Sequence, residues 1–257
     1  MSTALHGCRV LVTRPEQQAE PLCRLIESSG GIAIRLPTLI ITESPELSRQ
    51  ALLERISIAS HIIFISRNAV DYAARLAGYL ALQLQAKTVI AVGEGTRHAL
   101  AEYAVTNSVA PELGVGSESL LALSELDAIK IKGQTVLIVQ GGSGRELLQD
   151  GLIDRGAIVH TANVYQRTEP VIEQRIIDDI WRRNCPDVIV ATSFQGLQNL
   201  IRMTSAQDRT IMFSKKLVVM SARLAGLAKT AGFTNPAHVP TEQSDQGLLQ
   251  TIRHSVE

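Results

Sequence analysis

Val10-Leu11-Val12-Thr13-Arg14 has a counterpart 126 positions later, Val136-Leu137-Ile138-Val139-Gln140. The register holds without a gap to Ser29-Gly30-Gly31-Ile32 over Arg155-Gly156-Ala157-Ile158. Each copy reads as an apolar run, a turn, a helical stretch, a glycine stop and a second apolar run. That is the pattern of a strand–helix–strand unit. Two further pieces repeat in the same order. Ile62-Ile63-Phe64-Ile65-Ser66 resembles Val188-Ile189-Val190-Ala191-Thr192-Ser193, with Ser66 over Ser193. Val89-Ile90-Ala91-Val92-Gly93 resembles Leu217-Val218-Val219-Met220-Ser221, with Gly93 over Ser221. Three matched pieces in one order predict an α/β protein of two similar domains.

The apolar runs do not alternate, which fits strands buried on both faces of a parallel sheet with helices on either side. Small polar or glycine residues close each run before a helical pattern begins. Open α/β sheets bind ligands at such carboxyl ends. The candidates there are Ser66, Asn68, Gly93, Thr96, Thr192, Ser193, Ser221 and Arg223. Taken singly, each is explained as a turn former or helix cap; two matching sets favour a cleft between the domains. Pro37–Glu43 and Ala162–Pro170 lie outside the repeat, and both read as extended connectors bounded by proline. Pro21 falls inside the apolar pattern Ala19, Leu22, Cys23, Ile26, so that helix either starts near Glu20 or is kinked.

Composition narrows the class. With 45% hydrophobic and 19% charged residues in 257, the chain has the makings of a globular protein with sizeable cores. Lys plus Arg and Asp plus Glu are both 25, so there is no basic excess for a nucleic acid. Nine aromatic residues leave little for base-stacking platforms. There is no signal-like leader and no run near the 18 or so apolar residues of a membrane span. Cys8, Cys23 and Cys185 are odd in number, far apart and without metal spacing; the six histidines show no metal spacing either. The expectation is a cytoplasmic protein with reduced thiols and no metal site.

Gly141-Gly142-Ser143-Gly144-Arg145-Glu146 is the most conspicuous loop. Between strand and helix, its N–H groups and Arg145 suit a carboxylate or phosphate at Gly142, Ser143 and Gly144. It fails the dinucleotide pattern, because Leu147 stands at the third glycine position. Without a ligand, Ser143 and Glu146 read as a capping box. Thr13-Arg14-Pro15 puts a guanidinium at the end of the first strand, directed either into the cleft or to solvent, with Pro15 at the first helical position. Tyr165 is one of four tyrosines and the only one on an expected connector. It reads either as a site residue or as packing on a domain face.

In order along the chain, Val10–Pro15, Phe64-Ile65-Ser66-Arg67-Asn68-Ala69-Val70, Ala91–Thr96, Gly144–Leu148, Val164-Tyr165-Gln166-Arg167 and Thr192–Leu197 together resemble the uroporphyrinogen-III synthases of tetrapyrrole biosynthesis. The resemblance implies two α/β domains joined by a two-stranded connector, with an interdomain cleft. One domain would be 1–37 with 165–257, the other 43–160, and the connectors 38–42 and 161–170. It implies a monomeric, cofactor-free lyase that closes hydroxymethylbilane, a linear tetrapyrrole octa-acid, with inversion of the last ring and loss of water. Strand-end donors would hold the carboxylates and fix a conformation. A phenol, protonated at neutral pH, would give its proton to the departing hydroxyl, and Tyr165 matches the family's candidate. Ser221-Ala222-Arg223 departs from the family's usual glycine-proline-threonine-threonine run, so Ser221 or Arg223 takes over that role. Gln140 stands where a basic residue is frequent. The alternative from another class is a non-catalytic, hinge-type binding protein for a small anion; a nucleotide-using enzyme is disfavoured by the failed glycine pattern.

Overall fold

Val188-Ile189-Val190-Ala191 is buried along its whole length, and so is His61-Ile62-Ile63-Phe64. Strands of this kind need cover on both faces, which parallel α/β sheets supply. The computed structural model describes residues 5–112, 114, 116–142 and 146–256. Among these, nine strands form two sheets: β1 (Arg9–Val12), β2 (Ile32–Arg35), β3 (Ile40–Glu43), β4 (His61–Phe64), β5 (Thr88–Ala91), β6 (Thr135–Gly141), β7 (Ile158–Thr168), β8 (Val188–Ala191) and β9 (Lys216–Val219). One sheet has the order β2-β1-β8-β9, the other β3-β7-β6-β4-β5. The pairings of β1 with β2 and β8, β8 with β9, β4 with β5 and β6, and β6 with β7 are all parallel.

Set β3 aside and the two orders are the same order. β2, β1, β8 and β9 of one sheet correspond to β7, β6, β4 and β5 of the other, which is the pairing of the sequence repeat. Even the edges match: β5 is covered by a single parallel bridge from Val109, and β9 by one from His238. Each sheet therefore draws strands from both copies of the repeat. The chain divides accordingly into one compact unit of Met1–Ile40 with Thr168–Glu257 and a second of Ile41–Arg167.

Within the first unit, Leu11, Ile189 and Leu217 pack on one sheet face with Trp181 and Leu200. Val10, Val12, Val188, Val190 and Val218 pack on the other with Leu22, Ile26 and Leu249. The second unit repeats the arrangement, with Phe64, Leu137 and Val139 on one face and Ile63, Ile90 and Ile138 on the other. Period-two alternation of partners along continuously apolar strands is what two covered faces require.

Two local expectations need correction. The first helix spans Glu16–Ser28, and Pro15 is its cap rather than its first helical residue. Gln18 and Ala19 both donate to the Pro15 carbonyl, so the helix is established well before Glu20 and runs on through Pro21. Pro21 forfeits one backbone donor, while its exposed ring leaves the buried stripe of Ala19, Leu22, Cys23 and Ile26 intact. In the second connector region, 161–168 make up the last eight residues of the eleven-residue β7, which stays paired with β6 as far as Tyr165. No helix among the described residues is long and apolar enough to cross a membrane.

Candidate active site

In the unit Ile41–Arg167, Tyr165 sits where the β6–β7 register shifts between Gln140 and Gly141. Its ring lies directly on Gly141: a Cβ there would stand 2.1 Å from the Tyr165 ring carbons. The ring is 1% exposed and packs against Tyr72 at 5.7 Å between centroids. This differs from a side chain on a connector outside the sheet, because the long β7 carries the ring into the core of its own unit. The hydroxyl makes two polar contacts, one with Ser66 Oγ at 3.3 Å and one from Arg167 Nη2 at 3.3 Å. Ser66 is half-buried and caps the helix Arg67–Ala77, accepting from the Ala69 N–H at 3.1 Å. A strand end, a helix start and the phenol thus meet at one point. Asn68 lies on the first turn of that helix.

A pocket of about 450 Å³ opens beside the ring, lined by Ser44, Glu46, Gln140, Gly142, Glu146, Gln149, Thr161, Asn163, Tyr165 and Gln166. Gly142 has φ +69°, a backbone conformation that suits glycine. The Asn163 Oδ1 is buried without a hydrogen-bond partner among the described residues. Ser143, Gly144 and Arg145 lie outside the described residues. Gly93 is the cap of the helix Glu94–Glu102, and Thr96 on its first turn is 5% exposed, with its N–H on the Gly93 carbonyl.

In the other unit, a pocket of about 320 Å³ brings together Thr192, Ser193, Ser221 and Arg223, with Phe194, Leu224 and Leu227. Ser193 and Ser221 cap the helices Phe194–Met203 and Ala222–Ala231, accepting from Gly196 N–H at 3.1 Å and Leu224 N–H at 3.2 Å. Arg223 is exposed and makes no ion pair with the described residues. Arg14 is engaged, donating to Asp245 at 2.5 Å. The cap reading and the site reading of the serines are compatible, since a capping hydroxyl accepts one N–H and keeps its own proton to donate. A larger cavity, about 660 Å³, lies at the amino ends of the same strands, around Cys8, Asp187 and Lys216, and contains none of the candidate residues.

Sequence reasoning singles out neither Gly141 nor Asn163 as a site residue, and gives Arg167 no role. Nothing local marks Gly141 as the seat of a ring 24 positions away. Asp245, 231 positions from Arg14, is equally invisible to spacing arguments.

Residues 20–250 match the family model described as uroporphyrinogen-III synthase HemD. The chain belongs to the uroporphyrinogen-III synthase family. The enzyme of that name from Proteus mirabilis is 34% identical over 164 residues, covering 62% of this chain and 79% of the relative. That from Escherichia coli is 29% identical over 247 residues, covering 95% and 99%. Two solved structures share the fold. The Thermus thermophilus synthase (a triple-mutant form) has a TM-score of 0.65 at 16% identity, covering 97% of this chain and 99% of its own. The Helicobacter pylori synthase has a TM-score of 0.64 at 14% identity, covering 97% and 100%. The chain is therefore a cyclising, lyase-type enzyme that forms uroporphyrinogen III in tetrapyrrole biosynthesis. The alternative of a non-catalytic binding protein finds no support among these synthases.

Proposed function

We propose that Tyr165 supplies the proton for loss of the hydroxyl from hydroxymethylbilane, while strand-end donors hold the octa-acid for ring inversion. The observation that carries this reading is the placement of the phenol between Ser66 and Arg167 at a strand end, seated on Gly141. Both hydrogen bonds are long, as catalytic ones often are before substrate binds. The donors are Ser66, Asn68, Gly93, Thr96, Gly142, Ser143, Gly144, Arg145, Thr192, Ser193, Ser221, Arg223 and Arg14. Loss of water and ring closure moves no electrons between molecules, so a proton donor and an imposed conformation suffice without a cofactor. The enzyme acts as a cytoplasmic monomer.

Tyr165→Phe tests the acid role, since it keeps the ring on Gly141 and removes only the hydroxyl. We expect kcat to fall by roughly 10²-fold, the lower end for general acid catalysis, with KM little changed. The remaining product stays mainly isomer III, joined by isomer I from spontaneous closure. Hydroxymethylbilane turnover, with both isomers resolved after oxidation, gives the answer; a folded variant with wild-type kcat and kcat/KM removes Tyr165 from the chemistry.

A further inference from the structure

Tyr165 is 1% exposed, which is little for a group that must touch a substrate as large as a linear tetrapyrrole. Its two polar neighbours are not equivalent. Arg167 only donates, so its N–H fixes the phenol oxygen as an acceptor. Ser66 Oγ accepts from Ala69 N–H and retains a second lone pair for the phenol hydrogen, as well as a proton of its own. Ser66 is the more open of the two hydroxyls, at the carboxyl end of β4. Arg167 is exposed and makes no ion pair with the described residues, so no carboxylate among them competes for its guanidinium.

We infer that Arg167, Tyr165 and Ser66 form a directional donor chain, in which Ser66 is the catalytic residue that meets the substrate hydroxyl and Arg167 is a positioning residue. The inference rests on the reading of Tyr165 as the source of the proton. Ser66 Oγ–H passes its proton to the oxygen of the hydroxymethyl group. The C–O bond breaks with its electron pair on oxygen, and water leaves a cationic methylene-pyrrole. Ser66 takes the phenol proton in turn, and the phenolate forms beside the Arg167 guanidinium, a charge-assisted pair. The proton released when the rings close returns along the chain, leaving all three residues as they began.

Ser66→Ala, Ser66→Thr, Tyr165→Phe, the double variant Ser66→Ala/Tyr165→Phe and Arg167→Met decide the matter, with kcat, KM and thermal unfolding measured for each. The chain requires kcat to fall at least about 10-fold, at or just below the usual range for general acid catalysis, in both Ser66→Ala and Tyr165→Phe, with the double variant no slower than the slower single one. Ser66→Thr, which keeps hydroxyl and cap, restores most of the activity lost in Ser66→Ala, so that cap loss alone is not the cause. Arg167→Met lowers kcat with KM within about 2-fold, as expected of a group that acts only on the transition state, and has no further effect in the Tyr165→Phe background. If Ser66→Ala keeps wild-type kcat while Tyr165→Phe does not, the phenol donates directly and the chain is wrong, though Tyr165 stands as the acid. Multiplicative losses in the double variant overturn the chain in the same way. Wild-type kcat in Tyr165→Phe overturns the acid role itself.

Discussion

At the scale of single residues, the site depends on what surrounds each functional group as much as on the group itself. Gly141 is required because the Tyr165 ring occupies the space of its missing side chain. Gly141→Ala is expected to cost about 1–3 kcal/mol by overpacking and to lower kcat as the hydroxyl shifts. Chemical denaturation of Gly141→Ala in the wild-type and Tyr165→Ala backgrounds checks the cause. A cost that persists without the ring would show that the ring is not responsible. The arginines differ for a similar reason. Arg14 spends its charge on Asp245, whereas Arg223 is exposed beside Ser193 and Ser221. Arg223→Ala should therefore raise KM more than Arg14→Ala, and substrate-dependence curves at low ionic strength, where such attraction is least screened, will rank them.

At the scale of elements, the recurrent device is a buried strand, a serine cap and a helix. Ser66, Ser193 and Ser221 all accept an N–H from three residues on. Alanine at Ser193 or Ser221 should destabilise by about 0.5–2 kcal/mol. A thermal or denaturant midpoint unchanged in both variants would refute the caps as stabilising elements. These parts were legible in the sequence because they are local: apolar runs, small polar residues after them, and a repeat that placed one serine over another. Tyr165 was less so. The β-branched, proline-bounded stretch around it reads as a connector, since its local pattern does not reveal that β7 runs eleven residues and remains in the sheet. The seat on Gly141 and the pair between Arg14 and Asp245 are long-range contacts. Apolar periodicity has no means of reporting either.

At the scale of the whole molecule, the exchange of strands between repeats decides what can be separated from what. The continuous unit is Ile41–Arg167, whereas the other is assembled from two stretches of chain. A fragment ending at 160 would keep only the first three residues of β7 and lose Tyr165. A fragment of 41–167 keeps all of β4–β6, nearly all of β7 and both cores of that unit. It is expected to fold alone, with dispersed amide resonances and a cooperative thermal transition; a fragment that stays disordered would count against this division. The same exchange imposes a waiting time on the nascent chain. β1 pairs with β8 through Val10 and Val188, which are 178 positions apart. At elongation rates of roughly 5–20 residues per second, β1 must wait on the order of 10–30 s for that neighbour. Meanwhile the middle unit has all its strands and can close between the two halves. Folding order and synthesis order therefore disagree for the first sheet, whose earliest strand gains its β8 neighbour only after the whole of the middle unit has been made.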